Sequence, residues 1–344
     1  MKSNSNPQRP ALTVLACILL CLFSVAASAD VNVYSARKEA LIKPLLERFS
    51  EASGIPVNLV TGKGDALLTR LQHEGRNSPA DVLITTDAGR LYRAEEAGVL
   101  QRIDSAALNI AIPVHLRSDG GYWYGLSVRA RAIVYAPDKV KTDELSTYEA
   151  LADKQWRRRI CIRSSSNIYN QSLVAGMLAT QGMEKTDTWL ASFVPNFARP
   201  PQGGDRDQIK ALAAGQCDVA VVNSYYLAAM ASSAVDSERA AASKVAIFWP
   251  NQGDRGTHIN VSGAGVTAAS DNVAEATALI EFLATDESQR WYAETNNEYP
   301  VRDDIELGKL LRSWGEFTAD KVDVTELGRR NAEAVMAMDR ARWK

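Results

Sequence analysis

The sequence predicts an α/β protein of two lobes joined by strands that cross between them. Strand-like and helix-like segments alternate from residue 31, a second series begins near residue 157, and no flexible linker separates the two. Such alternation predicts parallel strands covered by helices. The stretches 124–136 and 256–264 are the predicted crossing strands, so we expect a hinge between the lobes rather than a tether.

The first series has three apolar strand patterns, each followed by a helix with apolar residues three and four apart. The predicted strands are "VNVYSA", "PVNLVTG" and "ADVLITT", and the predicted helices are "KEALIKPLLERFSEAS", "DALLTRLQHEG" and "GRLYRAEEAGVL". We expect the N-terminal lobe to comprise residues 30–127 and about 258–300.

The second series continues the same pattern. Its predicted strands are "RRRICIRSS" and "CDVAVVN", with "KVAIFWP" and "INVSGAGVTAAS" also extended. Its predicted helices are "NQSLVAGMLATQG", "KTDTWLASFV" and "DRDQIKALAAGQ", with further helices through "VAEATALIEFLATDESQRWYAET". We expect the C-terminal lobe to comprise about 128–257 and the C-terminal helices of residues 301–344.

Residues 1–29 have the pattern of a cleavable signal peptide. Lys2 and Arg9 precede an apolar run, and residues 27–29 form an A-x-A cleavage site. A membrane anchor is the alternative, disfavoured because the run is marginal in length and ends in small residues. The sequence therefore predicts an exported protein.

Charge and cysteine content narrow the class of protein. The leader holds two of the 39 basic residues and none of the 41 acidic ones, so the mature chain has a net charge of −4. This balance argues against nucleic acid as a partner. Cys161 and Cys217 remain in an oxidising compartment, where a disulfide and two buried thiols are both open.

Three tyrosines follow predicted strands at the points where ligands bind in open α/β sheets. Tyr169 comes after "ICIRSSSN", and Tyr225 and Tyr226 come after "DVAVVNS". A phenol has a pKa of about 10, so three of them stay neutral at pH 7 unless a strong cation displaces the protons. Hard phenolate oxygens suit Fe(III), whose three charges they would cancel. For each tyrosine taken alone, packing with a hydrogen-bonded hydroxyl is the alternative.

Cationic residues at the other strand ends suggest an anion beside the metal. Arg37 and Lys38 follow the first strand, and Arg129 lies in a crossing strand. Guanidinium binds planar oxyanions through two parallel hydrogen bonds, so we expect a small oxyanion to complete the coordination of the metal. A solvated helix start is the alternative for Arg37 and Lys38, and an internal ion pair is the alternative for Arg129.

Several segments resemble the bacterial periplasmic ferric-ion-binding proteins, which are the substrate-binding components of iron(III) ABC transporters. The likeness covers essentially the whole mature chain, and its most specific part runs from "GGDRDQ" to "NSYY". The segments are "VNVYSARKEALIKPLLERF", "SPADVLITTD", "GLSVRARAIVY", "CIRSSSNIYNQSLVA", "PQGGDRDQIKALAAGQCDVAVVNSYY" and "GTHINVSGAGV".

The resemblance implies a two-lobed periplasmic-binding-protein clamshell of type II with a hinge of crossing strands. Tyr169, Tyr225 and Tyr226 match the tyrosines that hold Fe(III) in the cleft, with a small anion such as carbonate or phosphate completing the shell. Arg129 matches the arginine that contacts the anion in the carbonate-using subgroup. A monomer that delivers iron to an inner-membrane ABC permease from the periplasm is the implied arrangement.

The chain departs from many relatives after the first strand. They carry a histidine, or a histidine and a further tyrosine, where this sequence reads "KEA" at 38–40. The chain therefore resembles the subgroup with three protein ligands, all phenolic. We expect Tyr34 to pack or hydrogen-bond, and His258 to make a structural hydrogen bond rather than to bind metal.

Other functions fit the sequence less well. An anion-only binder, or a phosphonate- or polyamine-type solute-binding protein of the same fold, is the alternative. A polyamine site would need acidic residues and aromatic faces, whereas these strand ends offer phenols and cations. The sequence has no G-x-S-x-G, H-E-x-x-H or C-x-x-C motif, and we expect no enzyme activity.

Overall fold

A computed structural model describes residues 30–344, and the predicted signal peptide lies outside the described residues. The strands join in one sheet of order β2-β1-β3-β8-β4-β6-β5, with β7 paired to β4. The strands are β1 (Val31–Ser35), β2 (Val57–Thr61), β3 (Val82–Thr86), β4 (Tyr124–Tyr135), β5 (Ile160–Cys161), β6 (Val219–Asn223), β7 (Ala246–Phe248) and β8 (Ile259–Val266).

Helices cover the sheet and connect most of its strands. Within residues 30–344 they are α1 (Glu39–Ser53), α2 (Gly64–Glu74), α3 (Ala88–Glu96), α4 (Ala106–Ala111), α5 (Ile168–Phe193), α6 (Asp205–Ala213), α7 (Ser224–Ala231), α8 (Asp236–Ala242), α9 (Val273–Leu283), α10 (Asp286–Glu294), α11 (Lys309–Ser313), α12 (Val324–Arg329) and α13 (Asn331–Arg340). None of the helices in this part of the chain is long and apolar enough to cross a membrane.

Strand directions are mixed, so the expectation of parallel strands is confirmed for the helix-connected strands but is wrong for the crossing strands β4 and β8. β1 is parallel to β2 and β3, and β5 is parallel to β6. β8 is antiparallel to β3, and β4 is antiparallel to β6, β7 and β8. β4 runs from the half of the sheet that holds β1 and β3 to the half that holds β5 and β6, and β8 runs back to the first half. The two strands therefore have opposite directions.

β4 links the two halves as a single buried strand of 12 residues. Residues 124–130 pair with β8, and residues 131–135 pair with β6. Gly263 of β8 allows the close approach, since a Cβ there would lie 2.5 Å from the Tyr124 carbonyl oxygen. The "GAG" of this strand therefore has a packing role. The predicted crossing strands and α/β class are confirmed.

Apolar packing is divided between the two halves of the sheet. One buried cluster surrounds β1, β3 and β8, and separate clusters surround β5 and β6. Leu311 and Leu327 pack in the first cluster, whereas Ala334 and Met338 pack in the second. The helices after residue 301 are thus shared between the clusters, and the boundaries of the lobes stay a prediction.

Two local differences separate the predicted elements from the observed ones. Only Ile160–Cys161 of the predicted strand "RRRICIRSS" is a strand, because the chain turns after it, with the Asn167 amide donating to the Ser164 carbonyl at 3.1 Å. The two predicted helices after it form α5, which is interrupted at Gly182, where φ is +80°. Helices α4 and α8 were not predicted.

A disulfide joins Cys161 to Cys217, with the Cα atoms 5.8 Å apart. The two cysteines therefore form a disulfide and are not two buried thiols, the alternatives that the sequence leaves open. The bond connects the end of β5 to the residue just before Asp218 and β6, so it ties together the strands that lead to Tyr169 and Tyr225. For cysteines 56 residues apart in sequence, loss of unfolded-chain entropy contributes about 4 kcal/mol of stability.

Candidate metal centre

The three tyrosines lie on the first turns of α5 and α7. Tyr169 is the second residue of α5, whose Asn167 cap accepts a hydrogen bond from the Tyr169 amide at 3.2 Å. Tyr225 and Tyr226 are the second and third residues of α7, which begins directly after β6. Because β5 and β6 are parallel neighbours, both helices start at the same edge of the sheet.

The structure brings the three phenols together. The Tyr225 hydroxyl donates to the Tyr169 hydroxyl at 3.4 Å, and the Asn223 side-chain amide donates to Tyr225 Oη at 3.4 Å. The rings of Tyr225 and Tyr226 are 4.3 Å apart between centroids, with a tilt of 36°. All three side chains are half-buried. Three oxygen donors therefore converge on one place, and their role as metal ligands stays a prediction.

Burial and neighbouring charges shift the pKa values of the three phenols. Burial and the neighbouring Tyr169 charge raise the pKa of Tyr225 well above its usual value, and burial is also the main cause that raises the pKa of Tyr226. Burial opposes ionisation of Tyr169 as well, but the Arg129 charge and hydrogen bonds from the other two hydroxyls outweigh it and lower the pKa of Tyr169. Burial thus opposes ionisation of all three phenols, and the Arg129 charge counteracts it at Tyr169.

Arg129 lies beside the phenols with part of its guanidinium unpaired. Its Cζ is 5.1 Å from the centroid of the Tyr225 ring and 5.8 Å from that of Tyr169. Nη2 donates to Glu298 Oε1 at 3.4 Å. Nε and Nη1 are buried and have no hydrogen-bond partner within residues 30–344. Burying a donor without a partner lowers the stability of the fold. An anion that accepted hydrogen bonds from these nitrogens would remove that cost, so Arg129 is suited to bind one.

A second carboxylate, that of Asp205, pairs with two further arginines near the phenols. Its side chain is fully buried at the start of α6 and accepts from Arg131 Nη1 at 2.8 Å and from Arg163 Nη1 at 2.6 Å. It also accepts from the backbone amide of Asn223 at 3.0 Å. The Arg163 Cζ lies 5.5 Å from the centroid of the Tyr169 ring. Asp205 therefore fixes groups adjacent to the phenols.

The two remaining predicted anion contacts lie in different environments. Arg37 is buried, and its terminal nitrogens donate to Glu298 at 3.0 and 3.2 Å and to Ser262 Oγ at 2.8 Å. It thus shares a carboxylate with Arg129. Lys38 is exposed at the start of α1, and its side chain makes no hydrogen bond or ion pair with the other described residues. The structure brings Arg37 into the cluster but not Lys38, and anion binding by either stays a prediction.

Tyr34 has the structural position expected of it, whereas the expected role of the His258 side chain stays a prediction. Tyr34 is buried and donates to Glu74 at 3.0 Å, as predicted. Burial and the positive charges nearby lower the pKa of His258 to about 3, so its imidazole is neutral. The hydrogen bond at His258 comes from its backbone amide, which donates to the Tyr148 hydroxyl at 3.2 Å.

Comparison with known proteins decides the family. Residues 45–319 match the family model described as "Bacterial extracellular solute-binding protein". The chain is similar to Iron uptake protein A1 of Synechocystis sp., with 46% identity over 315 residues that cover 92% of this chain and 88% of the relative. The chain belongs to the bacterial periplasmic ferric-ion-binding proteins.

Solved structures of members of this family superpose closely. One is described as "Trichodesmium (IdiA) (FutA) in complex with iron and citrate ligands", with 48% identity, a TM-score of 0.89 and coverage of 92% of this chain and 100% of that chain. Another is Mannheimia haemolytica ferric iron-binding protein A in an open conformation, with 38% identity, a TM-score of 0.86 and coverage of 92% and 99%. As predicted, this member of the family is a two-lobed solute-binding protein and not an enzyme.

Sequence reasoning missed the buried carboxylates Asp205 and Glu298 of this ferric-binding-family site. Asp205 lies in "GGDRDQ", the segment that carries the most specific resemblance, so a signal for it was present. Glu298 lies in the loop after α10, and no pattern around it predicts a position near Arg129. Among the described residues no group of three or more His, Cys, Asp or Glu side chains could hold a metal ion.

Replacing Asp205 with Asn is expected to destabilise the fold, because Arg131 and Arg163 would lose a buried counter-charge. Breaking a buried ion pair in this way costs about 3–5 kcal/mol, which urea unfolding measures. Asp207→Asn is the matched control. Asp207 is exposed on the same helix, and among the described residues its side chain accepts only from the Gly204 amide, at 2.7 Å, so its loss should cost about 1 kcal/mol or less. Equal effects of the two changes would contradict the role assigned to Asp205.

Proposed function

We propose that the protein binds Fe(III) together with a small oxyanion, carbonate being the one expected, and delivers the iron to an ABC permease for uptake. The observation that carries the proposal is the convergence of three phenol oxygens beside Arg129, whose Nε and Nη1 are unpaired. Names of relatives support it, because they include an iron uptake protein and an Fe(3+)-binding periplasmic protein.

The donor set favours a hard trivalent ion over an anion alone. Three phenolates would neutralise Fe(III) and leave coordination positions for the oxyanion. An anion-only site would gain little from phenols whose hydroxyls already bond one another, as those of Tyr225 and Tyr169 do. The anion-only alternative nevertheless makes a distinct prediction, since anion binding would then be independent of iron.

Positive charge around the phenols favours an anion beside the metal. Four guanidinium groups lie in the cluster, those of Arg37, Arg129, Arg131 and Arg163. The buried carboxyl groups among them are Glu298, Asp205 and Asp87, of which Asp87 lines the same cavity as Arg129 and Tyr169. The guanidinium groups outnumber these carboxyl groups, and three phenolates would cancel Fe(III), so an oxyanion such as carbonate would balance the remaining positive charge. A bound carboxylate chelator would satisfy the same charges, and one related structure holds iron with citrate.

The arrangement also suggests an order of events in the periplasm. All three phenols are on α5 and α7, whereas Arg37 follows β1 in the other half of the sheet. Fe(III) would therefore meet the phenols first. The anion would then draw the two halves together about β4 and β8, as in hinge closure of binding proteins. The closed monomer would be the form that a permease recognises.

Loss of the tyrosine pair is expected to abolish the visible colour of the ferric protein. Wild-type protein given ferric ion and bicarbonate should develop the orange-red absorption of iron bound to phenolate. Tyr225→Phe with Tyr226→Phe removes two of the three phenolates, so the band should disappear. Tyr122→Phe, at a half-buried tyrosine outside the cluster, is the control and should keep it. A band that survives unchanged in the double variant would refute the assignment.

Arg129→Ala is expected to weaken binding of the anion more than binding of the metal. At saturating bicarbonate the colour should form, but half-saturation should need about tenfold more bicarbonate, and iron should be lost faster to a chelator. Arg48→Ala is the control, since Arg48 forms an exposed pair with Glu287 at 2.9 Å. Calorimetry of bicarbonate without iron completes the test, because strong iron-independent binding would favour the anion-only function.

Iron binding is expected to weaken steeply as the pH falls. The pKa values of Tyr225 and Tyr226 are raised by burial, so both hydroxyls are protonated at neutral pH in the metal-free protein. Coordinated phenolates carry no proton, so two or three protons leave per ferric ion, and the affinity falls about 100- to 1000-fold per pH unit. Competition with a chelator of known protonation measures this slope between pH 8 and 5. A Tyr225→Phe variant should lower it by about one proton, and a flat profile would contradict phenolate ligation.

A further inference from the structure

Glu298 occupies the point where Arg37 and Arg129 meet. Its side chain is only 3% exposed, in the loop that follows α10. Oε2 accepts from Arg37 Nη1 at 3.0 Å, Oε1 accepts from Arg37 Nη2 at 3.2 Å, and the Ser127 hydroxyl donates to Oε2. The Arg37 and Ser127 contacts alone fix the orientation of this carboxylate.

Arg129 is the third and most distant partner of the same carboxylate. Its Nη2 lies 3.4 Å from Glu298 Oε1. The backbone sets their relative position, because Tyr299 and Val128 exchange two amide–carbonyl hydrogen bonds of 2.7 and 2.8 Å. Residues 127 and 129 share a face of β4, since side chains alternate along a strand. The loop that carries Glu298 is therefore held in register with that face.

Fixing one nitrogen of a planar guanidinium orients the rest of the group. With Nη2 bonded to Glu298, Nε and Nη1 of Arg129 have no partner among the described residues, and either can donate to a ligand on its own edge of the guanidinium. The Tyr225 and Tyr169 rings lie near the same guanidinium, with centroids 5.1 and 5.8 Å from Cζ. Arg129 is thus restrained before any anion arrives.

We propose that Glu298 is a positioning residue for the oxyanion: it orients Arg129 toward the anion, while Arg37 and Ser127 hold Glu298 in place. This inference rests on the proposed function and adds to it a residue that touches neither iron nor anion. It also gives the buried Arg37 an indirect role, as the anchor of the carboxylate. Orientation in advance lowers the cost of binding, because less freedom is lost when the anion arrives.

A purely structural Glu298 would make a different prediction. If the carboxylate served only to neutralise Arg37, its loss would lower stability and leave the anion requirement of intact protein unchanged. The half-saturating anion concentration, measured on folded protein at a fixed ferric concentration, therefore separates the two roles. Planar carboxylate-type oxyanions share the same chemistry, so bicarbonate and citrate are titrated in separate arms to identify the source.

Glu298→Gln is the decisive variant, because the amide keeps the size of the side chain but loses the negative charge and replaces one of the two acceptor oxygens with a donor NH₂. The half-saturating anion concentration should rise about tenfold, and the phenolate band should be unchanged at saturating anion. Glu74→Gln is the matched control, since Glu74 likewise accepts from Arg70 at 2.6 Å and from Tyr34 at 3.0 Å. It should leave half-saturation as in the wild type.

Each outcome decides the proposal. An unchanged or lower half-saturation for Glu298→Gln in both arms would overturn it. Colour in the wild type that needs no added anion would also overturn it, while leaving the iron site intact. No colour in the wild type would remove the proposed function itself. If Glu298→Gln does not fold, Ser127→Ala loosens the same carboxylate and should raise half-saturation about threefold; no rise would again overturn the role of Glu298.

Discussion

The candidate site depends on two neighbouring arginines of β4, each paired with a buried carboxylate from another part of the chain. Arg129 and Arg131 are two residues apart, so their side chains lie on one face of the strand. Glu298 binds the first and Asp205 the second. An unpaired guanidinium in this environment would strongly destabilise the fold. Asp205 also accepts a hydrogen bond from the backbone amide of Asn223, the residue just before α7. The carboxylate that pairs with Arg131 of the crossing strand therefore also holds the start of α7.

Much of the site follows from rules that can be read in the sequence. The carboxyl ends of β5 and β6 were expected to meet at one edge of a sheet, and the tyrosines that follow these strands do meet there. That expectation needed only element type and chain order. Strand direction at the crossing could not be obtained in the same way, because alternation of strands and helices does not show that β8 returns antiparallel.

The rest of the site depends on tertiary contacts between distant segments. Glu298 is 171 residues from Ser127 in sequence and reaches it through a loop with no periodic pattern. Arg37 and Lys38 are adjacent in the sequence and equally cationic, yet only Arg37 is buried against that loop. Neither difference has a local sequence signal, since it arises from how the segment after α10 packs on β4.

Adjacent tyrosines at the start of α7 raise the question of what could keep their oxygens charged. Both α5 and α7 begin at the cluster, and a helix start favours a nearby negative charge by about 0.3–1 kcal/mol. Bringing a phenol pKa from about 10 to 7 takes about 4 kcal/mol for each ring, and burial raises the pKa of Tyr225 and Tyr226 further. Helix ends and arginines whose charges are partly cancelled by buried carboxylates are too weak for three such groups. Only a highly charged ion, bound directly to the oxygens, supplies free energy of that size, so in the proposed complex the metal exchanges with the protons that it displaces.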